Sequence, residues 1–314
     1  MDSITQAALG AAVAEAGLGR KLGNKAILWG AILGTLPDLD VLASPFLDAV
    51  DRLSWHRGLT HSLLFCIVMA PLLALLMHRI HGDLCPVRRA SVVVFLVLFT
   101  HSLIDCFTVY GTQIFEPFSN VRVGFNNLFI IDPLYTLPLL IGLGIALFTQ
   151  REARVRRWAN TLGLLLSSLY VLWSFGAKAV ANDRFHRALT EQGVTPRQFM
   201  TGPGLFNTIT WRAVAGDDKG FWIGKLNLFR PQEAIEFRFV PRNDHLLAPW
   251  PESRVLRQLA WFSQGFYSVE EADDGSLIIR DLRFTERPAQ SEQVRSFFNW
   301  RVTTDGGEPV LAPR

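Results

Sequence analysis

Ionisable residues interrupt segments that otherwise have the composition of membrane helices, and this feature most constrains what the chain can fold into. They fall in three places: Pro37-Asp38-Leu39-Asp40, a His-Arg-Gly-Leu-Thr-His-Ser run over residues 56–62, and His101 with Asp105. Such side chains are costly in hydrocarbon, so they mark a functional site by default. Histidine and aspartate are also common ligands of divalent metals. The pattern predicts a polar site inside a helical membrane protein.

Long apolar runs are concentrated before about residue 181, in a chain of 314 residues that is 49% hydrophobic. Five of them approach the ~20 residues that cross a bilayer, at 26–43, 59–77, 91–110, 128–148 and 158–181. A further apolar stretch at residues 4–18 is too short to span, and we interpret it as an uncleaved, half-inserted or steeply packed helix. Residues 1–181 are therefore predicted to form a polytopic all-α membrane bundle of five spans and a short N-terminal helix.

Residues 182–314 have a different character, with tryptophans set among charged residues and few long apolar runs. Apolar and polar residues alternate at 208–214, 221–229, 235–240, 277–284 and 295–302, a pattern typical of half-buried strands. Glycine and aspartate cluster at 216–220 and 273–275, which favours hairpin turns there. Residues 252–264 have helical spacing. We predict a soluble, β-rich α+β domain.

Basic residues in the connections predict the orientation, because short cytoplasmic loops accumulate lysine and arginine. Ten fall on one side of the five alternating spans: Arg20, Lys21, Lys25, Arg79, Arg88, Arg89, Arg151, Arg154, Arg156 and Arg157. The opposite loops contain only Arg52, Arg57 and Arg122. The C-terminal domain is therefore expected outside the inner membrane, in the periplasm of a Gram-negative cell, and the ionisable residues gather at the same outer side.

The net charge of +3 is mainly this topology signal, and no basic stripe interleaves with aromatic residues, so a nucleic-acid partner is not expected. Cys66, Cys85 and Cys106 lack CxxC spacing and are interpreted as small buried hydrophobes. The C-terminal domain has no cysteine and must fold without disulfides.

His101 and Asp105 are four residues apart and share one helix face, so both could bind one metal ion, or Asp105 could orient the imidazole. Asp38 and Asp40 would diverge on a regular helix, and both can point inward only if the helix ends or bends near Pro37. A packing role for His101 alone is as plausible as a functional one. The convergence of all these residues at one depth favours a site.

Two further features belong to the second motif. Gly58 is expected to permit a tight turn between His56 and a helix that carries His61. Arg57 could hold an anionic group such as a phosphate, or could equally be an interfacial side chain that reaches toward water. Asp2, Gln6 and Asp132 lie at a similar level, and their membership of the site stays open, with helix capping as the alternative for Asp132.

These motifs resemble the signature of the YdjM/YbcI family of predicted membrane-bound metal-dependent hydrolases, also described as LexA-binding, inner-membrane-associated hydrolases. The opening Asp2-Ser3-Ile4-Thr5-Gln6 and the runs at 110–113 and 131–135 are similar to one branch of it. The resemblance covers roughly the membrane half. It implies a metal-dependent hydrolase without supplying a substrate. Some members have histidine directly after the second aspartate of the first motif, where this chain has Val41.

We therefore expect a hydrolase with a divalent metal, zinc by its donor set, near the outer interface. Its candidate ligands are His56, His61, His101, Asp105, Asp38 and Asp40. Asp38 and Asp40 would complete a second metal position or act as general base, and Arg57 would assist. Expected partners are membrane lipid and a lipid or small-molecule substrate, for instance a lipid-linked ester or phosphoester.

Two alternatives use the same residues. An ion or metal transporter is disfavoured, because transport folds usually show inverted repeats and mid-membrane polar groups, whereas this chain has an odd span count and no visible repeat. A non-catalytic membrane scaffold whose outer domain binds a partner would tolerate loss of His61 or Asp105.

Overall fold

The part of the chain described by the computed structural model, residues 1–286 and 295–312, opens with seven α-helices. They are α1 (Ser3–Leu22), α2 (Asn24–Thr35), α3 (Asp51–Trp55), α4 (Leu63–His81), α5 (Val87–Cys106), α6 (Pro133–Leu147) and α7 (Arg154–Glu191). Short 3₁₀ segments join several of them, at Pro37–Phe46, Leu59–His61 and Gly82–Leu84.

Among the described residues, three helices are long and apolar enough to cross a membrane: α4 with its 3₁₀ extension to Leu84, α5 and α7. Taken as one span, α2 and the 3₁₀ segment after it would make a fourth, bent by 41°. The run predicted at 128–148 forms only the 15-residue α6, because Asp132 caps the helix and Pro133 starts it. Many outward-facing side chains of these helices are apolar, including Leu72 and Leu165.

The N-terminal stretch forms α1, a helix of 20 residues that packs inside the bundle. Its small residues allow α2 to come very close, since a Cβ added at Gly30 would lie 2.3 Å from the carbonyl oxygen of Gly10. Glu15 of α1 forms a buried bidentate ion pair with Arg156 of α7, at 2.6 Å from Nε and 2.7 Å from Nη2. Close contacts between small residues and buried ion pairs stabilise helix packing in lipid. Burial of apolar surface contributes little there, because the lipid tails are themselves apolar.

The C-terminal region contains two four-stranded sheets, which agrees with the β-rich domain that the alternation pattern predicted. The first has the order β1 (Gln198–Pro203), β2 (Thr210–Gly216), β3 (Gly220–Asn227) and β4 (Phe237–Pro241). The second has the order β10, β9, β6, β5, formed by β5 (Tyr267–Glu271), β6 (Leu277–Asp281), β9 (Asn299–Asp305) and β10 (Glu308–Leu311). Along the chain, helix α8 (Arg254–Phe262) lies between β4 and β5, and a short ladder of β7 (Thr285–Glu286) with β8 (Arg295–Ser296) lies between β6 and β9.

Both predicted hairpin turns are confirmed, because β2 pairs antiparallel with β3 around 216–220 and β5 with β6 around 273–275. The predicted strand over 277–284 ends at Asp281, where the chain turns into a 3₁₀ segment over Leu282–Phe284. Strands β1, β5 and β10 were not predicted. Pro203 ends β1 and Pro309 lies in β10, and both strands are sheet edges, where proline is tolerated.

The chain divides into two compact units. The first comprises Met1–Leu42, Trp55–Ala177 and Pro203–Thr208, and it contains every site residue predicted from the sequence. The second comprises Ala43–Ser54, Lys178–Gly202 and Ile209–Arg314.

Candidate metal centre

The first site segment follows the end of α2. The α-helix stops at Thr35, and the chain continues from Pro37 in 3₁₀ geometry, which agrees with the bend expected there. Asp38 and Asp40 nevertheless point to different partners. The side chain of Asp38 is 21% exposed and faces His61 and His101, whereas that of Asp40 is 1% exposed and faces His56.

The second segment makes a tight turn through Arg57 and Gly58. Arg57 has a φ of 61°, in the left-handed region, whereas Gly58 has a φ of −92°. His61 ends a short 3₁₀ turn instead of lying within a helix, and Ser62 caps α4 by accepting a hydrogen bond from the backbone of Phe65 at 3.1 Å. The tight turn expected between His56 and His61 is present, and His61 lies just before the start of α4.

Four side chains from three segments converge on one point: Asp38, His61, His101 and Asp105. One potential ligand atom from each lies within 4.8 Å of all the others. His61 Nε2 is 3.3 Å from Asp38 Oδ1 and 3.5 Å from Asp105 Oδ2. His101 Nε2 is 3.6 Å from Asp38 Oδ1 and 3.9 Å from Asp105 Oδ2.

The outer hydrogen bonds of the two imidazoles determine which nitrogen faces the centre. His101 Nδ1 lies 2.6 Å from the carbonyl oxygen of Gly34 and must donate to it, because a carbonyl only accepts. His61 Nδ1 lies 3.0 Å from the hydroxyl of Thr60, which itself donates to Asp40 Oδ2 at 3.1 Å. That hydroxyl therefore accepts the proton of His61 Nδ1, and in the neutral form of each ring the Nε2 atom carries the lone pair.

The two Nε2 atoms lie only 3.1 Å apart and face two carboxylates. Lone pairs and negative charges at this separation repel one another unless a proton or a metal cation lies among them. Neutral imidazoles held by Nδ1 hydrogen bonds and ionised carboxylates are the forms in which these residues bind metal ions. The residues present thus fit a metal ion.

Asp105 is completely buried, and its two oxygens have different surroundings. Oδ1 accepts a hydrogen bond from Gln6 Nε2 at 3.0 Å and contacts the backbone nitrogen of Met1. Oδ2 faces the histidines and lies 3.1 Å from Arg57 Nε. The Arg57 guanidinium also donates to the hydroxyl of Thr108 at 3.0 Å and is 3% exposed, so it does not reach toward water and instead neutralises Asp105.

Asp40 and His56 lie outside the group of four. His56 Nδ1 is 2.8 Å from Asp40 Oδ1, and the backbone nitrogen of Arg57 donates to Asp40 Oδ2 at 3.1 Å. The carbonyl oxygen of Asp40 accepts a hydrogen bond from the Trp55 indole at 3.0 Å. Asp40 thus holds the segment between Trp55 and His61 in its turn conformation.

Three residues left open by the sequence have distinct positions. Asp2 caps α1 through Ile4 and Thr5, and Asp132 caps α6 while accepting a hydrogen bond from Tyr170 at 2.9 Å. Gln6 contacts the group directly through Asp105. Sequence reasoning missed Thr60 and the carbonyl of Gly34, which orient the imidazoles. Thr60 adjoins His61 in the motif, whereas a backbone carbonyl leaves no signal in the sequence.

These features define a helical membrane protein with a buried group of histidines and aspartates that could hold a metal ion. The model of the YdjM inner membrane protein family matches residues 1–181, and the chain belongs to this family. The resemblance predicted from the motifs is thereby confirmed, and the inner membrane is the protein's location.

Inner membrane protein YbcI of Escherichia coli (strain K12) is 38% identical to this chain over 109 residues. The match covers 34% of this chain and 62% of that relative, which is less than two thirds of its length. No solved structure matches the chain.

Proposed function

We propose that this protein is a metal-dependent hydrolase of the inner membrane and that Asp38, His61, His101 and Asp105 hold the metal. The observation that carries the proposal is the pair of Nε2 atoms 3.1 Å apart, both turned toward two carboxylates. A packing role for these histidines would not require both Nε2 atoms to face each other and two carboxylates.

Two imidazole nitrogens and two carboxylate oxygens suit zinc, which favours four ligands of this type. A bound zinc ion would lower the pKa of a water molecule to about 7 and polarise the bond to be hydrolysed. The protein's own residues supply the remaining functions, which can be assigned from their contacts.

Asp38 is the most exposed member of the group, with 21% of its side chain accessible, so it is the carboxylate that an incoming substrate can reach. It serves as ligand or as general base. Asp40 and His56 hold the turn that presents His61, which supports a positioning role for them rather than a second metal position. Arg57 neutralises Asp105, so an anionic substrate group would have to compete with that carboxylate.

We further propose that the site opens toward the periplasm and that the substrate is a lipid-linked ester or phosphoester. Asp38 follows the end of α2, His61 precedes the start of α4, and Asp105 lies in the last turn of α5. Helices that alternate in direction would bring these three ends to one side, opposite the ten basic residues. A site at that depth receives substrates from the lipid or from the aqueous phase.

Metal analysis of detergent-purified protein tests the proposal. The wild type should carry about one transition-metal ion per chain, and His101→Ala or Asp105→Asn should lower that occupancy markedly, because loss of a ligand weakens binding. His78→Ala is the matched control, since His78 lies on α4 outside the group. Its Nδ1 lies 3.0 Å from the carbonyl oxygen of Cys85. Full occupancy in both site variants, with unchanged thermal unfolding, would contradict the assignment.

A scaffold with a structural metal is the competing function, and the burial of the group favours it. His61, His101 and Asp105 are each at most 1% exposed, as in closed structural sites. A panel of lipid and soluble esters separates the two functions. Metal-dependent turnover that Asp38→Asn abolishes supports the hydrolase, whereas no turnover together with full in-vivo complementation by Asp38→Asn supports the scaffold.

A further inference from the structure

Gln6 of α1 is fully buried, and its carboxamide is oriented by two acceptors. Its Nε2 donates to Asp105 Oδ1 at 3.0 Å and lies 3.3 Å from the carbonyl oxygen of His101. A carboxylate and a carbonyl only accept hydrogen bonds, so a flipped amide would place oxygen against oxygen at both contacts. The orientation of the side chain therefore follows from its partners.

The other end of this side chain is left unsatisfied. Gln6 Oε1 is buried and has no hydrogen-bond partner in the described part of the chain. Asp105 Oδ2, on the same carboxylate that Gln6 holds, has the ion-pair contact with Arg57 Nε at 3.1 Å and faces the histidines. A buried acceptor without a donor is unfavourable, and Gln6 Oε1 beside the candidate site points to a donor that binds there.

The position of Gln6 is set by the first turn of α1. Asp2 caps that turn through the backbone nitrogens of Ile4 and Thr5, at 3.1 and 3.0 Å. The Thr5 hydroxyl lies 2.7 Å from that of Thr136 on α6. The turn is thus fixed on both sides of the residue that touches Asp105.

We infer that Gln6 is a positioning residue of the metal centre. Its Nε2 holds Asp105 Oδ1 so that Oδ2 stays directed at the histidines, and its Oε1 would accept a hydrogen bond from a water molecule bound beside it. This inference rests on the proposed function, since it requires that the group binds a metal. It makes α1 a fourth element of the site, beside the segments that carry Asp38, His61 and Asp105.

Cobalt(II) binding to Gln6→Met tests the inference, because methionine keeps the length of the side chain and removes both hydrogen-bonding ends. Loss of such a partner typically lowers metal affinity about 10–100-fold, and we expect a loss in this range with an altered visible spectrum of the bound cobalt. Asn160→Leu is the matched control. Asn160 is also a buried carboxamide that donates to α1, at 2.9 Å from the Ala12 carbonyl, and its Oδ1 is also without a partner in the described chain.

The control should bind cobalt within about twofold of the wild type while its unfolding temperature falls as much as that of Gln6→Met. If Gln6→Met bound cobalt with the affinity and spectrum of the wild type, the inference about Gln6 would be wrong, and the proposed function would stand. Where Gln6→Met fails to fold, Gln6→Asn gives the same measurement with a side chain too short to reach Asp105. Failure of both to fold beside a folded Asn160→Leu would show a structural role and overturn the inference. A wild type that binds no cobalt would overturn the proposed function itself.

Discussion

At the scale of single residues, the two aspartates of the first motif have different surroundings although they are two positions apart. Asp38 is partly exposed and contacts the two histidines, whereas Asp40 accepts hydrogen bonds from the backbone of Arg57 and the hydroxyl of Thr60 and pairs with His56. The 3₁₀ geometry directs the two side chains to different partners. We propose that Asp38 binds the ion and that Asp40 stabilises the turn.

Asparagine substitutions should separate these functions. Asp40→Asn turns an amide toward donors that need an acceptor, so we expect a loss of about 1–3 kcal/mol in the free energy of unfolding, with a smaller change in metal affinity. Asp38→Asn should leave the stability of the metal-free protein nearly unchanged and weaken metal binding. Thermal unfolding and metal titration of both variants check this. The assignment would be wrong if the Asp40→Asn protein were as stable as the wild type and the Asp38→Asn protein bound the metal as tightly.

At the scale of elements, glycines determine how closely the helices of the first unit pack. A Cβ added at Gly142 of α6 would lie 2.6 Å from the carbonyl oxygen of Ala159, and one added at Gly163 of α7 would lie 2.6 Å from that of Pro138. Each contact is with backbone, which cannot move aside as a side chain can. Such small-residue interfaces let helices associate in lipid.

Gly142→Ala should therefore destabilise the protein by about 1–3 kcal/mol, the usual cost of forcing an extra methyl into a packed interface. Gly144→Ala is the control on the same helix, because a Cβ there meets nothing within 4 Å. That change should be neutral or should stabilise by up to about 1 kcal/mol, since alanine is the better helix former. Equal unfolding temperatures for the two variants would contradict the close contact between α6 and α7.

The sequence predicted the elements that depend on local pattern. Apolar runs marked α4, α5 and α7, alternation marked β2, β3 and β6, and Pro37 marked the end of α2. It could not predict contacts that depend on distant partners. Arg57 takes the left-handed turn because Asp40 holds its backbone nitrogen, and the Gly34 carbonyl orients His101 across 67 residues. Edge strands such as β10 depend on their neighbours for the same reason.

At the scale of the whole molecule, basic residues predict the orientation in the membrane. Ten of them lie in connections or at the helix ends beside them, on one side if the spans alternate, against three on the other. The strength of this bias comes from its distribution over three separate connections, each of which would have to face the cytoplasm.

Reporter fusions test that orientation. Fusions after residue 20, within residues 80–88 and after residue 154 should report the cytoplasm, and a fusion at residue 200 should report the periplasm. A cytoplasmic signal at residue 200 would change the number of spans and move the proposed site to the other face. A periplasmic signal after residue 154 would show that the short α6 does not cross.

The burial of α1 also has a consequence for the order of assembly during synthesis. α1 leaves the ribosome before α2 to α7 and is not among the described helices that are long and apolar enough to cross a membrane. Its buried face is covered by α2, α5 and α6, and α6 begins only at Pro133. We therefore expect α1 to wait until its neighbours are inserted, and the nascent chain to be unable to take up an ion before that late docking step.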